Sequence, residues 1–148
     1  MKVRDLMTPD VITLDAASPL VAAEELMGLR RFRHLPVTEG GRLIGLVTHR
    51  DLLRAYVSSV QGADWRENER LKATVNVAKI MHTKVRTIGP DDPLTEAARL
   101  LRHGPWGCLP VVDEEGHLVG ILTEADFVRL AETWLRTMDP SLLGLDEG

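Results

Sequence analysis

The run Leu43-Ile44-Gly45-Leu46-Val47-Thr48-His49-Arg50-Asp51-Leu52 returns as Leu118-Val119-Gly120-Ile121-Leu122-Thr123-Glu124-Ala125-Asp126-Phe127, and this recurrence restricts the chain to a duplicated fold. Val3, Met7, Val11, Thr13, Pro19, Leu20, Ala23, Leu26, Leu35, Pro36 and Val37 are restated by Val77, Met81, Val85, Thr87, Pro93, Leu94, Ala97, Leu100, Leu109, Pro110 and Val111 at an offset of 74. One extra residue in the turn Asp113-Glu114-Glu115-Gly116 makes the offset 75 for Gly45/Gly120, Thr48/Thr123 and Asp51/Asp126. A length change confined to a hairpin turn is what a structural repeat tolerates.

Each copy reads as β-α-β-β-α. A leading arm (Val3, Leu6, Met7) reaches the turn signal Thr8-Pro9-Asp10, and Val11-Ile12-Thr13-Leu14 then has the β-branched content of a short strand. Ser18 as N-cap and Pro19 in the first turn predict a helix of about ten residues, with Leu20, Ala23, Leu26 and Met27 on its apolar face. Leu35-Pro36-Val37 reads as a strand, Gly40-Gly41 as a tight turn, and Leu43 to Val47 as the antiparallel partner. Pro36 lacks a donor N–H, which favours an edge or strand-start position. The helix that follows begins at Thr48 to Asp51 and runs through Leu52, Leu53, Tyr56 and Val57. The expected division is repeat 1 over 1–60, a charged connector over 61–76 with helical spacing from Asp64 to Lys72, repeat 2 over 77–134 and a tail over 135–148. Into the tail runs a helix through Trp134, Leu135 and Met138, which meets Pro140, after which the chain turns acidic.

The chemistry sits where the last strand of each copy meets its helix. Unpaired N–H groups and the positive end of the helix dipole suit an anionic ligand there, and the adjacent Asp can accept hydrogen bonds from sugar hydroxyls. Thr-x-x-Asp is equally a capping box, in which Thr48 or Thr123 caps the helix and Asp51 or Asp126 reaches back. The two roles are compatible for the threonine.

Length and composition set the outer limits. A chain of 148 residues with 44% hydrophobic content can bury a real core. A net charge of −4, with no long basic block, gives no support for nucleic acid or an acidic membrane surface. The single Cys108 precludes a disulfide within one chain, and no run approaches the ~18 apolar residues of a membrane span. A reducing, cytoplasmic setting is the expectation. His34, His49, His82, His103 and His117 lack metal-ligand spacing, and no nucleophile motif accompanies them. Neither a metal site nor an enzyme is expected.

Two copies with Pro at the first helix start, Leu-Pro-Val on the middle strand and Gly-h-h-Thr-x-x-Asp at the end (h, an apolar residue) resemble the cystathionine β-synthase (CBS) domain family in tandem, the arrangement called a Bateman module. The resemblance covers nearly the whole chain. It implies two α/β repeats packed about a pseudo-two-fold axis, with two clefts that in many members bind AMP, ADP, ATP or S-adenosylmethionine. It thus implies a sensor acting on a partner protein rather than a catalyst. One cleft would combine Thr123 and Asp126 with Met7, Thr8, Ile12, Phe32 and Arg33. The other would combine Thr48 and Asp51 with Met81, Arg86, Trp106 and Gly107. Ile12 corresponds to Arg86, Arg33 to Gly107 and His34 to Cys108, so unequal clefts are expected.

Arg30, Arg31, Arg33, His34, His49 and Arg50 make the first repeat's rim basic. His34, His49 and Arg50 are candidate phosphate contacts, with a solvated arginine face as the alternative. Trp106 either lies against a purine or fills the inter-repeat core, the core being favoured. Apolar positions after each Thr-x-x-Asp (Leu52, Leu53, Tyr56, Val57; Phe127, Val128, Leu130) predict homodimerisation, as the resemblance also does. The alternative to a ligand sensor is a dimerisation or interaction module with empty clefts.

Overall fold

The computed structural model describes residues 1–30, 32–59 and 65–138. Repeat 1 contributes helix α1 (Val3–Leu6), strand β1 (Leu14–Asp15), α2 (Leu20–Arg30), β2 (His34–Glu39), β3 (Arg42–Thr48) and α3 (His49–Ser59). The connector forms α4 (Trp65–Thr74), near the helical stretch read from Asp64 to Lys72. Repeat 2 opens with a single 3-10 turn, Val77–Lys79, followed by α5 (Leu94–His103), β4 (Cys108–Val112), β5 (Leu118–Thr123) and α6 (Glu124–Thr137). The mixed α/β architecture is the one expected. The tail reading at Pro140 lies outside the described residues.

The duplication repeats the topology, with the first strand of repeat 1 reduced to a bridge in repeat 2. β2 and β3 are antiparallel, as are β4 and β5, and each pair carries an irregularity at the same place, Val37/Thr38 and Val111/Val112. β1 runs parallel to β2 through Leu14↔Val37, and its counterpart is a lone parallel bridge, Ile88↔Val111. Gly40 and Gly41 have φ of 58° and 81°, so the first hairpin turn needs two consecutive left-handed residues. The longer second turn needs one, Gly116 at φ 85°.

Three sequence expectations are corrected. The strand over Val11–Leu14 is only Leu14–Asp15, because Ile12 packs against the first core instead of pairing. The first helix starts at Leu20, after Pro19, and its counterpart α5 has Pro93 itself as N-cap, with no side-chain cap. Proline thus stands half out of the helix, where its extended ψ (138° at Pro93) turns the chain in. Pro36 sits on the middle strand of a three-stranded sheet rather than at an edge. It is tolerated because β1 pairs only from Val37 onward, leaving the Pro36 nitrogen no partner to fail.

Two apolar cores form, equivalent position by position. Leu14, Leu20, Ala23, Met27, Leu35, Val37 and Val47 fill the first. Ile88, Leu94, Ala97, Leu101, Leu109, Val111 and Leu122 fill the second. The leading arms are exchanged between them. Val3, from the start of repeat 1, is fully buried in the second core, and Val77, from the start of repeat 2, is fully buried in the first. Backbone bridges fix this exchange: Thr8 and Ile121 donate to each other's carbonyls (2.9 and 3.0 Å), and so do Leu46 and His82 (2.9 Å each). The hairpin ends meet through Leu43 N–H to Gly116 O (3.1 Å) and Leu118 N–H to Gly41 O (3.0 Å).

Candidate functional site

Each arm crossing brings a leading segment beside the Thr-x-x-Asp of the other repeat. The interrupting glycine is what admits it. A Cβ on Gly45 would stand 2.5 Å from the Met81 sulfur and 3.0 Å from the His82 carbonyl oxygen; on Gly120 it would stand 2.5 Å from the Met7 sulfur and 3.1 Å from the Thr8 carbonyl oxygen. The sheet therefore has a notch at each glycine, and a methionine fills it.

Thr48 and Thr123 sit at the N-termini of α3 and α6. Thr48 N–H donates to Asp51 Oδ2 (2.7 Å) and Asp51 N–H to Thr48 Oγ1 (3.3 Å). Thr123 N–H donates to Asp126 Oδ2 (2.7 Å), its hydroxyl to the same oxygen (3.3 Å), and the reciprocal cap closes the box. Both carboxylates are buried, Asp51 at 7% and Asp126 at 2% exposure, the only buried charged residues among those described. A charge is held in such a place only when hydrogen-bonded, and each carboxylate is. The second oxygen of Asp126 accepts from the Arg129 guanidinium one turn along α6. The second oxygen of Asp51 accepts from His82 Nε2 at 2.7 Å, from the other repeat.

On the strand that leads to Asp126, Met7 stands against Gly120 and Thr8 pairs with Ile121, while Thr123 joins Asp126 in the cap. Ile12 is half-buried against the first core, whereas Phe32 and Arg33 are exposed ahead of β2. Arg33 carbonyl oxygen accepts the His49 N–H (2.9 Å), tying this segment to the start of α3. Around Asp51 it gathers Thr48, Met81, His82 and Trp106, whose ring lies 4.4 Å from that of His82 and tilted by 58°. Arg86 and Trp106 line a cavity of about 420 Å³ together with Lys84, Val85, Leu100 and Cys108. Trp106 belongs to neither apolar core, so the favoured core assignment is corrected: its half-buried ring faces His82 and this cavity. Gly107 lies on the border of both halves. Its carbonyl oxygen accepts from Glu124 N–H (3.3 Å), and a Cβ there would stand 3.5 Å from His34 Cε1.

Of the phosphate candidates, His49 and Arg50 are exposed on the first turn of α3. His34 is half-buried at the start of β2. Burial, and then the Arg33 charge, hold its imidazole below the ordinary 6.5, against smaller opposing pulls from Glu124 and Asp51. At neutral pH it offers a hydrogen bond rather than a cation. Burial likewise pushes the Cys108 thiol up to about 12, making it a packing residue without nucleophilic character. Sequence reasoning passed over His82, whose repeat-1 counterpart is Thr8. Its signal was this break in symmetry, a histidine on the arm that crosses to a buried Asp.

Among the described residues no cluster suited to a metal ion occurs, and no helix is long and apolar enough to cross a membrane. The fold defines a duplicated α/β module with one buried carboxylate beside each inter-repeat crossing. Residues 3–58 and 77–132 each match the CBS domain, and the chain belongs to this family as a tandem pair. A Vibrio cholerae protein assigned to acetoin utilization superposes with a TM-score of 0.79 at 34% identity, over 100% of this chain and 98% of that one. CBSX2 of Arabidopsis thaliana, solved in complex with AMP, gives 0.75 at 29% identity, covering 90% and 97%. The CBS domain pair of protein MJ0100, solved with 5′-methylthioadenosine and S-adenosyl-L-methionine, gives 0.71 at 25% identity, covering 88% and 99%. The chain spans between 21% and 45% of the length of four curated relatives, a homoserine O-acetyltransferase of Methanohalophilus mahii among them.

Proposed function

We propose that this chain is a regulatory CBS pair that binds an adenosine-containing ligand (AMP, ADP, ATP or S-adenosylmethionine) in its inter-repeat clefts and modulates a partner protein without catalysing a reaction itself. One observation carries the reading: each helix that starts at a Thr-x-x-Asp buries its aspartate beside the exchanged arm of the other repeat. A carboxylate there can accept two ribose hydroxyls, and the adjacent helix N-terminus attracts phosphates. The ligand set proposed is Thr48, Asp51, Met81, Arg86, Trp106 and Gly107 at one cleft, and Thr123, Asp126, Met7, Thr8, Ile12, Phe32 and Arg33 at the other. His34, His49 and Arg50 stand near the phosphates. AMP in CBSX2 and S-adenosyl-L-methionine in the MJ0100 pair support the ligand class. A homodimer in the cytoplasm is part of the same proposal; the buried, unreactive Cys108 suits a reducing compartment.

A thermal-shift panel of AMP, ADP, ATP and S-adenosylmethionine tests it. Ligand bound only to the folded state at about 100 times its Kd adds about 2.7 kcal/mol, a rise of roughly 5–10 °C for a domain of this size. A flat response to all four favours the second reading, an interaction module with empty clefts. The observation behind that alternative is that both carboxylates already have two protein partners.

A further inference from the structure

His82 makes the two clefts unequal. The carboxylate oxygen that a ribose would need is occupied in both, but by different kinds of partner. At Asp126 the occupant is Arg129, on the same helix, with a side chain 67% exposed. The guanidinium swings into water on a flexible, exposed stem, and the carboxylate it leaves, 3% exposed, takes its replacement hydrogen bonds from the ligand. At Asp51 the occupant is an imidazole from the other repeat, only 34% exposed, hydrogen-bonded at 2.7 Å and packed on Trp106 at 4.4 Å. Its backbone is pinned by two 2.9 Å hydrogen bonds to Leu46, so the ring leaves by rotation alone, giving up both the carboxylate and the indole. Trp106 also lines the 420 Å³ cavity beside it, so the same ring holds the tryptophan that a purine would meet.

We infer that His82 is an internal latch on the Asp51 cleft, a positioning residue that competes with a ribose for Asp51. An adenosine ligand therefore fills the Asp126 cleft first. This rests on the ligand reading above and deepens it by assigning the order of occupancy. A hydrogen bond to a buried carboxylate that must break before binding lowers apparent affinity by the fraction of time the latch is open, about ten-fold or more. Repeat 1 supplies the natural comparison: at the equivalent position it has Thr8, too short to bridge in the same way.

The test is isothermal calorimetry with AMP on the wild type, Asp126→Asn, His82→Thr, and the His82→Thr/Asp126→Asn double variant. In the wild type one AMP per chain is expected in the strong phase. Asp126→Asn is expected to leave binding at least ten-fold weaker, and adding His82→Thr is expected to recover at least ten-fold through the unlatched Asp51 cleft. His82→Asn, also too short to reach Asp51, stands in if circular dichroism shows that the threonine variant has lost its fold. A double variant that binds AMP no better than Asp126→Asn alone overturns the latch while leaving the adenosine reading intact. Two equal strong sites in the wild type do the same. No heat from any of the four proteins, with AMP or with ADP, ATP or S-adenosylmethionine in its place, overturns the adenosine reading, and the latch with it.

Discussion

Gly45 and Gly120 set how closely the two halves approach. Each reads in sequence as one glycine interrupting an apolar strand, and its reason is invisible until the other repeat's methionine is placed against it. Gly45→Ala must displace the Met81 thioether and press on the His82 carbonyl, a strained overpacking of about 1–3 kcal/mol. Urea denaturation should show that loss, and Gly45→Ala combined with Met81→Ala should lose less than the sum of the two single changes, because the clash partner is gone. His34 gives a pH signature. With its folded pKa below the unfolded 6.5, the unfolded chain binds the extra proton, so stability is fully present above about pH 6.5 and falls as pH drops toward the folded value. The melting temperature of the wild type, taken relative to that of His34→Gln, should be lower at pH 5.5 than at pH 7.5. An unchanged difference between them removes His34 as the cause. The Thr-x-x-Asp roles were legible as far as the cap; His82 and Arg129, the partners of the outer oxygens, were not, because each is fixed by tertiary placement.

At the scale of elements, the helices after each Thr-x-x-Asp divide differently from the sequence expectation. Leu52 is buried, and Tyr56, Phe127 and Leu130 lean on the cores, so they are not the exposed stripe that the apolar count suggested. Tyr56 instead clamps the connector: its hydroxyl donates to Glu24 on α2 (2.9 Å), and Lys72 of α4 reaches the other oxygen of that Glu24 (3.3 Å) and the Tyr56 ring (4.8 Å). The residues left exposed are Leu53 on α3, Val128, Trp134 and Leu135 on α6, and Met138 just beyond it. Exposed apolar residues on the helix that follows each Thr-x-x-Asp suit a two-fold interface, which is the basis of the dimer proposal. Leu53→Lys with Val128→Lys should shift light scattering from about twice the 16.4 kDa chain mass to one chain mass. A wild type already of one chain mass at millimolar concentration removes the proposal. The misreading has a simple source: helical spacing marks an apolar side but does not say how much of it the sheet covers.

For the whole molecule, the duplication told the order of elements but not the exchange of arms, since periodicity carries no information on which core an arm enters; the crossing of Met7 and Thr8 toward Asp126 came only with the family resemblance. That exchange binds the repeats into one folding unit. Val3→Ala removes two methyls from the second core although it lies at the start of repeat 1, so about 1.5–3 kcal/mol should be lost in a single cooperative transition with no separate melting of either half. Two resolved transitions in calorimetry would speak for independent repeats. The same exchange sets each arm beside the buried Asp of the other repeat, so the proposed ligand sites belong to this scale. Isothermal calorimetry of AMP and S-adenosylmethionine against the wild type and the Asp51→Asn/Asp126→Asn double variant, both verified as folded, is the most direct measurement. The amide keeps size and cap but gives up the charge that holds ribose hydroxyls, so the double variant is expected to bind the better ligand about ten-fold to a hundred-fold more weakly. Equal affinity in the two proteins, or no binding to the wild type, would contradict the assignment of the buried aspartates as the ligand-holding groups.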